Sequence, residues 1–204
     1  MTFTSIHVEG LDLAGKTTAC RGLAAALGPG WTVRRNRLAA DNPVYELADH
    51  LRTTGAAGAG TLGHLYVAAL SADLDAHTPP DRRVIQDSTV LLRSLAFHAV
   101  AGTPCVVPAL EALLPRHPRF EASVVLTASL DARRQRLEWR RRNQPHEVAD
   151  DDLLVVRDPA RFLAMEQVLI ALAREHFAAR VIDTSGMSES AVVGAVLAAV
   201  SNTG

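Results

Sequence analysis

Residues 10–17 read GLDLAGKT, a GxxxxGK(S/T) pattern lying between the apolar run FTSIHV (3–8) and the helix-spaced segment KTTACRGLAAAL (16–27). A strand-to-helix junction of this composition leaves few folds open to the chain. Its glycines let backbone N–H groups turn inward around an anion, and the amino end of the following helix adds partial positive charge. In that geometry Lys16 reaches the β- and γ-phosphates of a nucleoside triphosphate and the Thr17 hydroxyl binds Mg²⁺, while Gly10, Leu13, Ala14, Gly15 and Thr18 complete the cradle. The pattern specifies a phosphate donor and is silent about an acceptor.

RVIQD (83–87), ASVVLTA (122–128) and RVIDT (180–184) repeat the character of the first run: short, β-branched and separated by helix-length segments. Runs of this kind predict parallel strands covered on both faces. The more polar WTVRRN (31–36) predicts a fifth strand at an edge. Helical spacing marks 16–27, 61–77, 90–102, 130–142 and 159–177, the last with Pro159 suited to a first turn. The expected class is α/β, a three-layer P-loop NTPase fold with a five-stranded parallel sheet flanked by helices. With 204 residues, 48% of them hydrophobic, the chain suffices for one core, and a single domain over 1–204 is expected. Three loops stand out, 53–60, 78–83 and 141–152; the last, RRNQPHEVADDD, is polar and two-signed and is expected to be a mobile lid.

Composition removes several classes. A formal net charge of −1 lacks the basic footprint of a nucleic-acid binder. No apolar run nears the ~18 residues of a membrane span, and no leader-like segment opens the chain, so a soluble cytoplasmic protein without a membrane partner is expected. Cys20 and Cys105 stand far apart without CxxC spacing, which predicts reduced, packed thiols. The eight histidines show no HxxxH spacing and there is no GxSxG elbow, leaving Mg²⁺ carried with the nucleotide as the only expected metal. A guanine-reading NKxD is absent, and the one DxxG, DTSG at 183–186, lies near the C-terminus, which disfavours a switch GTPase. A small ATP-dependent phosphotransferase remains.

VEGLDLAGKTT (8–18) resembles the phosphate loop of the thymidylate kinase and deoxynucleoside kinase group, which typically reads EGxDGxGKTT. VIQDSTVLLRSLAFHA (84–99) is similar to that group's DRY and SxLAYQ segment, and LDARRQRLEWRRRNQPHE (130–147) to its arginine-rich lid. VIDTSGMSESAVVGAVLAAV (181–200) is similar to its closing strand, adenine-contacting loop and helix. The resemblance implies a nucleoside monophosphate kinase-like fold with a lid, ATP and Mg²⁺ as cofactors, and contact between Asp12 and the acceptor sugar. Phosphoryl transfer needs charge neutralisation and alignment more than covalent help, so Lys16 and lid arginines are the expected catalytic groups. Some members carry an arginine where Leu13 stands; here the resemblance points to Arg140, Arg141 and Arg142, with Arg140 and Arg142 catalytic. Arg133 shares a helical face with Arg136, and Arg136 with Arg140; that face meets the phosphates, with Arg136 and Arg140 as nucleotide contacts, or is a solvated surface paired with Glu138 and nearby acids. Asp87 ends its strand at the carboxyl edge of the sheet, where it either orients Mg²⁺ or accepts the acceptor's proton, or caps the helix beginning STVLL. Glu9 either joins the site or hydrogen-bonds the loop backbone.

The departures cluster on the acceptor side. Ser88 replaces the arginine that follows the strand-ending aspartate, with Arg93 as its candidate substitute. RRNRLAADNPVYE (34–46) stands where REPGG is expected and offers Arg35, Arg37 and Asn42, while YVAALSADLD (66–75) lacks a thymine-facing arginine. The acceptor is expected to meet some of His64, Tyr66, Ser71, Asp73, Phe97 and His98. Losing several matched polar groups together changes which substrate is accepted. The expected acceptor is therefore a nucleotide, nucleoside or related small metabolite other than ordinary dTMP. Met165 and Leu169 in FLAMEQVLIALA serve either the core or a homodimer face. The rival reading is a catalytically inactive nucleotide-binding regulatory protein.

Overall fold

In the computed structural model, which describes residues 4–39, 41–79, 82–101, 103 and 105–201, five parallel strands form one sheet. The elements in chain order are β1 (Ser5–Glu9), α1 (Lys16–Leu27), β2 (Trp31–Arg35), α2 (Pro43–Thr53), α3 (Ala59–Asp75), β3 (Arg83–Asp87) and α4 (Val90–Ala101). They continue as α5 (Val107–Glu111), β4 (Ala122–Thr127), α6 (Leu130–Asn143), α7 (Asp150–Arg157), α8 (Pro159–Phe177), β5 (Arg180–Asp183) and α9 (Glu189–Ser201). The strand order is β2-β3-β1-β4-β5, so the chain builds one side of β1 before crossing to the other. Such a crossing opens a crevice at the carboxyl ends of the central strands. The expected α/β class, the five parallel strands and the edge position of WTVRR all hold.

Strand alternation assigns the two faces. Ile6 and Val8 of β1 pack with Ile85, Val124 and Leu126 beneath Leu23 of α1 and Val192 and Val196 of α9. The opposite face carries Val125 beneath Leu92 of α4 and Phe162, Leu169 and Phe177 of α8. His7 and Glu9 alternate with Ile6 and Val8, so both polar side chains lie inside the protein at 0% exposure. The His7 ring stacks on Phe120 at 4.7 Å between centroids. A third cluster, with Tyr45, Leu70, Leu91, Leu95 and Leu110, joins α2 and α3 to α4 and α5.

Several boundaries differ from expectation. The 141–152 stretch is not one loop: α6 runs to Asn143, a 3-10 turn covers Pro145–Glu147, and α7 starts at Asp150. Asp150, Asp151 and Asp152 are favourable at a helix amino end, and the Asp152 carboxylate accepts the Ala149 N–H at 3.0 Å. The helix α2 lies where only polar contacts were expected; Asn42 caps it by accepting the Val44 N–H at 3.1 Å, ahead of Pro43 in the first turn. Loop 53–60 is shorter than expected because α2 reaches Thr53 and α3 begins at Ala59. Of 78–83, Pro80 and Asp81 lie outside the described residues, as do Phe3 of the first run and Gly102 of the third helical segment. Cys20 is buried and packed, but Cys105 is exposed, because it precedes α5 outside the core; both are free. Among the described residues no helix is long and apolar enough to cross a membrane.

Candidate active site

Gly10–Thr17 wraps the carboxyl end of β1 and opens α1. Gly10 holds φ 144°, and a Cβ there would stand 2.3 Å from the Leu126 carbonyl oxygen, so only glycine lets β1 and β4 approach this closely. Gly15 precedes α1 at φ 92°, another conformation that favours glycine. Leu13 adopts φ 63° with a side chain buried in the α4–α8 core, a left-handed backbone that costs a non-glycine residue ~1–2 kcal/mol.

The loop is held by its carbonyls. Leu11 O accepts Lys16 Nζ at 3.0 Å, and Asp12 O accepts Arg133 at 2.5 Å. Leu13 O accepts Arg136 at 2.8 Å, and Ala14 O accepts the Thr184 hydroxyl at 3.0 Å. Four consecutive carbonyls are thus fixed by side chains from α1, α6 and the loop after β5. Arg136 also donates to Thr184 O at 2.6 Å, tying the phosphate loop to the stretch that follows the last strand. Arg133 is wholly buried, donates to Ala128 O at 2.8 Å and to the Glu166 carboxylate, and lies over the Phe162 ring at 4.7 Å.

Beneath the loop, Glu9 accepts hydrogen bonds from Gly10 N (3.1 Å), Thr89 N (2.8 Å), the hydroxyls of Thr89 and Ser88, and His7 Nε2 at 3.3 Å. Burial pushes its carboxyl up, but the hydrogen bond and charge of His7, the Ser88 hydroxyl and the Lys16 charge outweigh this and hold it at about 2. Glu9 therefore ties the loop to the start of α4, and the capping reading for Asp87 does not hold. Asp87 Oδ2 instead accepts the Thr17 hydroxyl at 3.1 Å.

Two cavities meet over these residues. The smaller, about 90 Å³, is lined by Asp12, Leu13 and Gly15–Thr18 of the loop and first helical turn, by Asp87, and by Arg35, Asn36, Arg93 and Arg140. The larger, about 560 Å³, is walled by α2, α3, α4, α7 and α8. Asp12, Asn36 and Arg93 border both. Arg93 Nη2 donates to Asp12 Oδ2 at 2.8 Å, and Lys16 Nζ lies 3.8 Å from Asp12 Oδ1. Burial raises the Asp12 carboxyl, but the charges of Arg93, Lys16 and Arg140 lower it further, so it is held ionised below its usual range. The Thr17 hydroxyl and Asp87 carboxylate are hard oxygen donors in the lining of the smaller cavity, beside its four cationic side chains. They fit Mg²⁺, which takes few protein oxygens and completes its shell with phosphates and water. Among the described residues no group of three or more His, Cys, Asp or Glu could hold a metal ion.

The expected residues divide accordingly. Asp12, Leu13, Gly15, Lys16, Thr17, Thr18, Arg35, Asp87, Arg93 and Arg140 line the smaller cavity, and Arg37, Tyr66, Phe97 and His98 line the larger. Gly10 and Ala14 shape the loop from behind. Arg136 lines neither cavity, because its guanidinium is committed to Leu13 O and Thr184. Arg142 is exposed and lines neither cavity, because two residues beyond Arg140 is about 200° around α6 from it. Arg140 donates to both Asp152 oxygens, at 2.9 and 2.8 Å, clasping α6 to α7. Asp73 accepts the N–H groups of Leu38 and Ala39, Asn42 donates to Ala69 O, His64 is exposed, and the Ser71 hydroxyl accepts from Arg116; none reaches the cavities. Met165 and Leu169 are buried within the chain, Met165 in the wall of the larger cavity. The residues sequence reasoning missed are Asn36, Tyr45 and Asp49 on the β2–α2 side and Arg161 and Phe162 at the start of α8. The Asn-Pro at 42–43, Glu46 in the first turn and Arg52 in the last are helix signals that mark α2 in the sequence.

No family model and no curated sequence matches the chain. Solved structures do. Thymidylate kinase from Candida albicans superposes with a TM-score of 0.68 at 15% identity, over 98% of this chain and 91% of that one. Thymidylate kinase from Ehrlichia chaffeensis gives 0.64 at 15% identity over 98% and 100%. Deoxyadenosine kinase from M. mycoides with bound dCTP gives 0.58 at 15% identity over 95% and 97%. The sheet and its flanking helices are those of a nucleotide-kinase fold. Within that class the chain has the fold shared by thymidylate kinases and deoxyadenosine kinase.

Proposed function

We propose that the chain is a Mg²⁺- and ATP-dependent phosphotransferase that moves the γ-phosphoryl group onto a nucleoside, a nucleotide or a related small metabolite other than ordinary dTMP. The observation that carries this reading is the junction of a small cationic cavity with a large, partly aromatic one at Asp12, Asn36 and Arg93. A donor and an acceptor bound on the two sides would place their reacting atoms at that border. Arg161 faces the larger cavity from α8, whereas α3 supplies no arginine to its wall, which supports an acceptor preference unlike that of a thymine-reading pocket.

In this reading Lys16 and Arg140 neutralise charge on the transferring group, with Arg93 at the acceptor side. Thr17 and Asp87 hold Mg²⁺, which supplies charge neutralisation at the phosphates. The acceptor oxygen bonds to the γ-phosphorus as the bond to the β–γ bridging oxygen breaks and ADP leaves. Asp12 positions the acceptor, and α6 and α7, joined by the Arg140–Asp152 clasp, exclude water. A screen of nucleosides, nucleoside monophosphates and small hydroxylated metabolites for acceptor-dependent ADP release, with products identified by mass, tests the proposal. Tight Mg·ATP binding with no phosphorylated product would instead establish a regulatory nucleotide-binding protein.

A further inference from the structure

Two properties of the larger cavity bear on what enters it. The first is charge. In the smaller cavity Lys16, Arg35, Arg93 and Arg140 face only Asp12 and Asp87, an excess of cations suited to phosphates. In the larger, Arg37, Arg52, Arg93 and Arg161 are matched by Asp12, Asp49, Asp150 and Asp151. The matching is local as well. Arg37 and Arg52 lie 3.5 and 3.9 Å from Asp49, and Arg93 donates to Asp12 at 2.8 Å. An ionised carboxylate thus stands at the border where the acceptor's reacting group must sit. A phosphomonoester dianion there would meet Asp12 with little uncompensated positive charge on its own side, whereas a hydroxyl can donate a hydrogen bond to it.

The second is unsatisfied polarity. Tyr45 Oη, His98 Nδ1 and Arg161 Nε are three of four buried side-chain polar atoms without a hydrogen-bond partner among the described residues, and all three belong to the wall of this cavity. Tyr45 and His98 are 2% and 3% exposed. Burial keeps the phenol protonated and lowers the imidazole, so both are uncharged near neutral pH. Phe97, Phe162 and Tyr66 supply flat apolar surface beside them, and Arg161 lies over the Phe97 ring at 5.1 Å. Uncharged donors and acceptors flanked by aromatic faces suit a planar ring with a polar edge better than a flexible anion.

Resting on the phosphotransferase reading, we propose that the larger cavity takes an uncharged, hydroxyl-bearing acceptor with a planar polar ring, of the nucleoside class, and not a phosphomonoester. The hydroxyl oxygen bonds to the γ-phosphorus of ATP, the β–γ bridge breaks to release ADP, and the hydroxyl proton passes to solvent after hydrogen bonding to Asp12. Tyr45, His98 and Arg161 set which ring edge is accepted.

The test measures binding before turnover. Thermal shift and calorimetry on the full chain with a non-hydrolysable ATP analogue and Mg²⁺ would compare a panel of nucleosides with their 5′-monophosphates, followed by ADP release with ATP. At least one nucleoside is expected to bind tenfold or more tightly than its monophosphate, and Tyr45→Phe to weaken that nucleoside several-fold without lowering the melting temperature. Monophosphates binding as well as nucleosides, or neither class binding, would overturn the inference. Nucleoside binding without ADP release would leave this assignment standing and sink the phosphotransferase reading instead.

Discussion

The two cavities differ in how the chain builds them. The side proposed for the donor is local: one loop and the first turn of the helix after it supply six of its eleven lining residues. The side proposed for the acceptor is assembled chiefly from five helices between Tyr45 and Met165, with no stretch of sequence contributing a majority. A local site concentrates its chemistry in a few groups; a distributed one spreads recognition over many. Loss of a single residue should therefore be drastic on one side and graded on the other.

The largest expected effect is on the donor side. Lys16→Ala should lower acceptor-dependent ADP release by ~10³-fold or more with circular dichroism unchanged, since one preorganised charge near a transferring group contributes on that scale. An acceptor-side single substitution of equal size, outside Asp12 and Arg93, would break the comparison. Next is the strut joining the two sides. Burial pushes the Arg133 guanidinium down and the Glu166 carboxyl up although they face one another, so desolvation outweighs their attraction. Arg133→Met leaves Glu166 buried and Asp12 O without its donor, and chemical denaturation should show a loss of ~3–5 kcal/mol.

Beneath the donor loop, Glu9 makes stability depend on acid. Its folded value of about 2 lies below the ordinary 4.5, so its contribution is complete above pH 4.5 and is lost as pH falls through about 2. That is roughly 3 kcal/mol across the window, and Glu9→Gln should flatten this limb of the pH–stability curve. Within α6, Arg140→Ala should reduce turnover by ~10²-fold with a small change in ATP affinity, and Arg142→Ala by no more than a few-fold. Equal losses at the two positions would return Arg142 to the site. The smallest effect separates stability from recognition: Tyr45→Phe removes an unpartnered buried hydroxyl, so the free protein should gain ~1 kcal/mol in denaturant unfolding while acceptor affinity falls.

Legibility followed the same division. Strand RVIQD and the helices at 16–27 and 159–177 could be placed to the residue, because apolar period and end signals agreed there. Lys16 and Thr17 are legible because the motif fixes backbone geometry along with side chains, and Asp87, which lines the same cavity, because it ends a strand at the carboxyl edge of the sheet. The wall of the larger cavity is legible only in part: Arg37, Tyr66, Phe97 and His98 line it as expected, but whether Tyr45 or Arg161 faces a cavity is decided by how α2 and α8 pack on α4, which no local spacing encodes. The arginines of α6 show the limit most plainly. Their common face is real, but Arg133 and Arg136 both donate to carbonyl oxygens of the 10–17 loop, and Arg133 to Glu166 as well, acceptors that no local spacing reveals.

Because α6 and Thr184 grip the loop through main-chain oxygens, their hold does not depend on which side chains occupy positions 13 and 14. Residues there are free to drift as long as the backbone path survives. Leu13 is an instance: it occupies a left-handed conformation without glycine, and its isobutyl group has been absorbed into the core. A loop anchored in this way can exchange its surface vocabulary while keeping its grammar. For that reason the backbone path of the loop can persist in a chain with only 15% identity to a kinase whose fold it shares.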